Sequence, residues 1–293
     1  MPRASDLLRS TRLDDLASGE RALLGLPYDG GIPTRPGARF GPAAIRAALG
    51  SLTTFDGSAH VPEVRDCGDL ALPTMNGGEA HRLVEEEAAR LFTLGARPVF
   101  LGGDHGLTGS LIRGLAAART DIRLAVVNID AHLDVREYTD ASSLSSGTPF
   151  RRAAETDIVD GSRMATVGVR RFANSAEHLG WAREQGMHLV SAEEVAEEGA
   201  AAVAANVLDW VMEDADALYL SVDIDAVDAA FAPGASAAGP EGLTAREAIG
   251  LVRRFAADDR LVAADIMEVS PPYDQDGRTA RLAARILLEA LAA

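Results

Sequence analysis

Val127-Asn128-Ile129-Asp130-Ala131-His132-Leu133-Asp134-Val135 is the stretch that decides how this chain is read. An apolar run from Leu124 to Val127 reads as a buried strand, and three metal-type side chains spaced two apart close it. In extended chain, residues i, i+2 and i+4 project to one side. Asp130, His132 and Asp134 therefore converge if the backbone stays extended past the strand's end, whereas a helix would scatter them. A solvated strand end can carry the same spacing, so the choice depends on what else arrives at that place.

Working outward, the pattern recurs. Pro98–Leu101 reads as a strand that runs into Gly102-Gly103-Asp104-His105, Leu218–Val222 as one ending in Asp223-Ile224-Asp225, and Leu261–Ile266 as one ending at Glu268. Further strands are expected at Ala22–Leu26, Val64–Cys67, Ala165–Val169 and His188–Val190. Helices are expected over Ala43–Leu49, Glu79–Leu94 (capped by Asn76), Leu107–Ala118, Ser175–Gln185, an Ala/Glu-rich stretch to about Met212, a Thr244/Glu247 capping box to Phe255, and Thr279–Leu291. This alternation predicts an α/β fold, a mainly parallel central sheet covered by helices on both faces, in one domain over residues 1–293.

In open parallel sheets, ligands bind at the carboxyl ends of the strands. His105, Asp130, His132, Asp134, Asp223, Asp225 and Glu268 then share one rim, an excess of negative charge that calls for cations. The competing reading is that Asp104 or His105 merely caps the helix beginning near Leu107. Two histidines and four aspartates suffice for two metal ions if two carboxylates bridge. Donors rich in carboxylate and free of thiolate favour Mn²⁺ over Zn²⁺ or Cu²⁺. Two such ions about 3.5–4 Å apart hold a bridging hydroxide, which predicts a metal-assisted hydrolase.

Composition narrows the partners. Of 293 residues, 47% are hydrophobic and 5% aromatic, so the expected core is aliphatic. The net charge of −16 argues against nucleic acid and anionic membrane as partners. No apolar run approaches the roughly 18 residues of a membrane span, and the first residues have no apolar leader, so a cytoplasmic protein is expected. The lone Cys67 allows no intramolecular disulfide. Seven of the 14 residues in Asp29–Pro42 are Gly or Pro, a loop of fixed path. Within and just after it, Arg35, Arg39 and Arg46 are read as structural in preference to substrate-binding. His60, His81, His178 and His188 stand alone and are read as ordinary surface or core histidines.

Gly102-Gly103-Asp104-His105, Asp130-Ala131-His132-Leu133-Asp134 and Ser221-Val222-Asp223-Ile224-Asp225 resemble the three signatures of the ureohydrolases, the arginase/agmatinase/formimidoylglutamase family. Arg35–Pro42 and Asp276–Ala280 match as well, and the resemblance spans nearly the whole chain. It implies an arginase-type three-layer α/β/α fold, two Mn²⁺ per subunit, a small-molecule substrate and a homo-oligomer, trimer or hexamer. By position, one ion falls to His105, Asp130, Asp134 and Asp223, the other to Asp130, His132, Asp223 and Asp225, with Asp130 and Asp223 bridging. Glu268 matches the carboxylate that pairs with the substrate's cationic end, and Asp134 the residue thought to pass a proton to the leaving nitrogen.

Within the family, Ser146 stands where arginases and agmatinases have histidine, and Ser146-Gly147-Thr148-Pro149-Phe150 is similar to the formimidoylglutamase form. So are Gly168–Asn174 and Ala230–Gly234. The resemblance thus implies hydrolysis of N-formimidoyl-L-glutamate to L-glutamate and formamide, with agmatine or another guanidino compound as the alternative substrate. Ser146, Arg170, Arg171 and Asn174 are the expected substrate-binding residues, since a dicarboxylate needs cations. The two arginines could instead serve subunit contacts. Gly106 departs from the Ser, Asn or Glu often found after the first signature's histidine, and Ala235 and Ala238 stand where bulkier residues or Pro are usual. A two-metal phosphohydrolase and a non-catalytic metal-binding relative are the other classes considered. The first lacks basic residues around the acidic motifs apart from Arg136, and the second usually loses ligands that are all present here.

Overall fold

A computed structural model describes residues 2–292. In chain order its strands are β1 (Leu8–Ser10), β2 (Arg21–Leu26), β3 (Val64–Asp69), β4 (Arg97–Gly102), β5 (Leu124–Ile129), β6 (Val159–Val169), β7 (His188–Ser191), β8 (Ala217–Asp223) and β9 (Leu261–Met267). The helices are α1 (Gly41–Leu49), α2 (Gly77–Thr93), α3 (Gly106–Ala118), α4 (Pro149–Ala154), α5 (Ala176–Glu184), α6 (Ala192–Glu198), α7 (Ala200–Val211), α8 (Ala245–Ala256) and α9 (Arg278–Ala292). Among the described residues the strands form one sheet in the order β1-β3-β2-β4-β9-β8-β5-β6-β7. Every pairing in it is parallel.

The period-2 geometry of a strand explains how the sheet separates two aliphatic cores. In β5, Leu124 and Val126 enter the core under α2 and α3, while Ala125, Val127 and Ile129 enter the core under α7, α8 and α9. β8 divides alike, Tyr219 to the first core and Leu218, Leu220 and Val222 to the second. The expected three layers are therefore present. Local signals also hold: the Asn76 side chain accepts from the Glu79 amide, and Thr244 with Glu247 closes a capping box at the start of α8.

Four elements differ from the sequence expectation. The Ala/Glu-rich helix is two helices, because Gly199 takes φ +84°, a conformation that ends α6 and redirects the chain into α7. β6 begins at Val159 rather than Ala165. α4 has no counterpart among the expected helices; Pro149 stands in its first turn. The edge strand β1, before the first expected strand, has no counterpart among the expected strands.

Candidate metal centre

The strands that carry the acidic and imidazole groups, β4, β9, β8 and β5, are neighbours at the middle of the sheet. Their register aligns Leu101 with Ile266, Ile266 with Val222, and Val222 with Ile129. Past this row each strand leaves the sheet on the same rim. Chain order reverses here, since β5 passes over the places later filled by β8 and β9, and such a switch point leaves a crevice for a ligand. Close backbone approach tightens the rim: a Cβ on Gly103 would lie 1.8 Å from the Tyr28 carbonyl oxygen, and the Glu268 amide donates to Gly103 O at 2.8 Å. Gly106 is required for the same reason, because a Cβ there would meet Ser145 O at 2.5 Å.

The predicted ligands converge. His105 Nδ1 lies 3.3 Å from Asp130 Oδ2, 3.0 Å from Asp134 Oδ2 and 3.2 Å from Asp223 Oδ2. His132 Nδ1 lies 3.5 Å from Asp130 Oδ1 and 3.2 Å from Asp225 Oδ2. Two ligand sets result, His105/Asp130/Asp134/Asp223 and Asp130/His132/Asp225, with Asp130 common to both. The second bridge expected from Asp223 differs: its Oδ1 is turned to the Asp225 amide at 2.7 Å, which leaves its other oxygen with the first set. Asp134 and Glu268 take φ +49° and +65°, a left-handed backbone uncommon outside glycine and concentrated at functional sites.

Proton accounting indicates that these residues fit cations. His105 Nε2 lies 2.9 Å from Ser221 Oγ, and Ser221 in turn donates to Asp265 Oδ1 at 2.6 Å. The one hydroxyl proton is thus spent on Asp265, so Ser221 accepts from Nε2–H; in the neutral imidazole the Nδ1 lone pair then faces three carboxylates, and although burial opposes the charge, Asp130, Asp134 and Asp223 hold the metal-free imidazole well above its usual range. His105 Nδ1 and Asp225 Oδ1 are buried without a hydrogen-bond partner. An acceptor aimed at acceptors is repulsive unless a cation lies among them. Tyr219 and Thr108 also donate to Asp265 Oδ2, at 2.7 and 2.8 Å. The buried Asp265 therefore anchors the ligand imidazole through Ser221, as outer-shell carboxylates do in metal sites.

Electrostatics point the same way. Burial and the neighbouring Asp130 charge push the Asp134 carboxyl up to about 6. Burial, then Asp225 and Asp130, hold the Asp223 carboxyl well above its usual range. Burial opposes charge on His132, but the Asp225 and Asp130 carboxylates overcome it and push the imidazole up to about 12. The cluster takes up protons in place of the positive charge that its geometry invites.

The expected substrate residues are less concentrated. Glu268 is buried on the rim, its Oε1 accepting from the His105 amide at 2.7 Å and its Oε2 from the Ser236 hydroxyl. Arg170 follows β6 and its amide donates to Ala131 O, beside the ligands. Its side chain is 9% exposed, with Nη2 donating to Ala237 O at 3.2 Å and Nη1 buried without a partner. Arg171 is exposed, with its guanidinium carbon 5.6 Å from the Phe172 ring centre. Ser146 lies half-buried, its amide donating to Gly31 O at 3.2 Å. Asn174 also has a structural role. Its Oδ1 accepts from the Leu133 amide at 2.9 Å and its Nδ2 donates to Ala131 O at 3.1 Å, so the amide braces the ligand loop with one donor and one acceptor and keeps one N–H free. Sequence reading missed Asp265 and Ser236. An acid inside the apolar run Leu261–Met267 was the available signal for the first; nothing local distinguishes the second.

Arg39 and Arg46 are structural: Arg39 pairs with Asp29, and Arg46 with Asp66 and Asp69 at 2.9 and 2.6 Å.

The arginase family pattern matches residues 20–293. A guanidinobutyrase of Pseudomonas aeruginosa is 36% identical over 302 residues, covering 99% of this chain and 93% of that protein. A formimidoylglutamase of Halobacterium salinarum is 40% identical over 278 residues, covering 93% and 87%. The crystal structure of formimidoylglutamase from Bacillus subtilis superposes with a TM-score of 0.92 at 30% identity, covering 99% of this chain and 90% of that one. The chain belongs to the arginase family. It is a metal-dependent amidino hydrolase of that family. None of the helices among the described residues is long and apolar enough to cross a membrane.

Proposed function

We propose that this hydrolase is a formimidoylglutamase, cleaving N-formimidoyl-L-glutamate with water to L-glutamate and formamide. The observation that carries the reading is the pairing of a two-set metal cluster with a buried carboxylate, Glu268, on the same rim. The amidine end of the substrate is a planar cation, and Glu268 can hold it so that its carbon faces the cluster. Bound there, two Mn²⁺ supply Lewis acidity and an activated water at neutral pH. Asp134, whose Oδ2 lies at the edge of the cluster beside His105, can carry a proton to the departing nitrogen as the C–N bond breaks. The Phe150 ring, edge-on to His105 with centroids 5.4 Å apart, walls this ligand on one side. The dicarboxylate end needs donors: Arg170, whose amide donates to Ala131 O and whose Nη1 has no partner, and the exposed Arg171 next to it supply the cations. Ser146, in place of a family histidine, is included among the substrate-binding residues of this reading. The proposal includes a trimer or hexamer in the cytoplasm.

The second reading is a guanidino-acid hydrolase, favoured by the likeness to guanidinobutyrase over 99% of the chain. Guanidinobutyrate also ends in a carboxylate, so the same arginines would serve it, whereas agmatine ends in an amine. A side-by-side assay of Mn²⁺-loaded protein on formimidoylglutamate, guanidinobutyrate, agmatine and arginine decides. Formamide release from the first, with little urea from the others, is expected. Urea from guanidinobutyrate at a higher kcat/KM would replace the proposal with the second reading. Metal analysis and light scattering check two ions per chain and the assembly.

A further inference from the structure

One oxygen of Glu268 is held by Ser236, a residue outside both ligand sets. The two Glu268 oxygens each receive one donor from the chain, the His105 amide on Oε1 at 2.7 Å and the Ser236 hydroxyl on Oε2. Ser236 is 4% exposed and lies in the connection between β8 and α8. The carbonyls around it are pinned from two directions. Thr34 Oγ1 donates to Ser236 O at 2.9 Å, and Arg35 donates to the same carbonyl at 3.3 Å through Nε and to Ala235 O through Nη2. On the other side Arg170 donates to Ala237 O at 3.2 Å. The Arg35 guanidinium is itself fixed over the Tyr273 ring, 4.5 Å from its centre.

We propose that Ser236 is a positioning residue for Glu268, and that Arg35 and Arg170 act on the substrate site by holding the Ser236 loop. The inference rests on Glu268 meeting the substrate's cationic end, as in the reading above. An ionised carboxylate offers about four acceptor positions, two on each oxygen. The His105 amide and the Ser236 hydroxyl fill one on each, which leaves one on each for the substrate. Two parallel acceptors in one plane match the two-nitrogen edge of an amidinium or guanidinium, fork to fork. Removing the hydroxyl frees Oε2 and lets the carboxylate rotate out of that plane about its last torsion, which is broad for glutamate. This gives the serine a role in catalysis without contact to the reacting atoms.

The test is to prepare Ser236→Ala and Ser236→Thr as full-length, Mn²⁺-loaded proteins and to compare crystal structures, metal content and kinetics with the wild type. In Ser236→Ala the Glu268 carboxylate plane should turn, metal content should match the wild type, and kcat/KM should fall roughly 10–100-fold. Ser236→Thr, which restores the hydroxyl, should recover most of both. An unmoved Glu268 in Ser236→Ala, a kcat/KM within about twofold of wild type, or a threonine variant no better than alanine would overturn the proposal. So would loss of metal, since the effect would then run through the ligands. Wild-type protein inert on all four substrates would sink the functional reading alone, because the turn of Glu268 in the crystals is read without substrate.

Discussion

The ends of the four central strands and the loops that ring them make different kinds of site. At the strand ends, position is inherited from the sheet: register sets Asp130 and Asp223 one step past aligned apolar residues, and six side chains from three strand ends meet in two ligand sets. In the ring, position depends on long side chains and on which partner each finds first. Arg170 is partly spent on Ala237 O and Asn174 partly on the ligand loop, although both lie within a few residues of the rim. Metal chemistry is thus built into the sheet, while substrate choice is assigned to parts that can change without disturbing it.

The harshest way to break this contrast is Asp223→Ala. It removes a ligand of the His105 set and the cap on the Asp225 amide, so metal and activity should leave together, with turnover down by roughly 10³-fold or more. Retention of two ions per chain by metal analysis would show that the cluster does not depend on this strand end. Glu268→Ala, on the neighbouring strand, should behave differently: metal content stays and kcat/KM falls by roughly 10²-fold or more. Near-normal turnover in that variant would remove Glu268 from the substrate site.

Asp265→Asn probes the support beneath the cluster. Losing the anion that receives the Ser221, Tyr219 and Thr108 hydroxyls should loosen the His105 imidazole and weaken Mn²⁺ binding about 10–100-fold by calorimetry. Unchanged affinity would mean that the three carboxylates orient His105 unaided. For the ring, Arg170→Ala should raise KM about tenfold, equal to about 1.4 kcal/mol, and also lower kcat as the Ser236 loop loosens. A fall in kcat with constant KM would instead indicate that the arginine acts only by holding the Ser236 loop.

The same contrast explains how much the residues alone could tell. The six candidate ligands were legible because metal-type side chains follow apolar runs at separate strand ends, but the strand period does not carry them together: β5 ends at Ile129, the chain bends at Ala131 and His132, and Asp134 takes φ +49°, where an extended backbone was expected. The alternation of elements, read with the rule for parallel sheets, was enough to put them on one rim. Asp265 escaped because its partners, Tyr219 on β8 and Thr108 on α3, are set by packing between elements far apart in sequence. Ser236 escaped because a loop's path is defined by the arginines that pin it, and those arginines looked no different from solvated ones. Gly199 was visible in the sequence, but a single glycine inside a helical pattern usually costs stability without ending the helix.

His105 also has a counterpart in the fold, and the pair gives the smallest test. His81 is almost as buried, at 3% exposure against 0%, yet its surroundings are reversed. Its Nδ1 lies 2.9 Å from Ser110 Oγ and 3.2 Å from Arg152 Nη1, and since a guanidinium only donates, His81 accepts and stays neutral. Burial, helped by the Arg152 charge, pushes this imidazole down to about 3. A folded-state value below the unfolded one means that the unfolded chain binds the proton first. The stability His81 contributes is therefore complete above about pH 6.5 and is lost progressively as pH falls from there toward 3. Between pH 7 and pH 5.5 that loss amounts to about 1 kcal/mol. Urea unfolding of metal-free wild type and His81→Gln at both values should show the wild type losing that much more than the variant. Equal losses would mean that burial and the neighbouring Arg152 together do not hold His81 neutral in the fold.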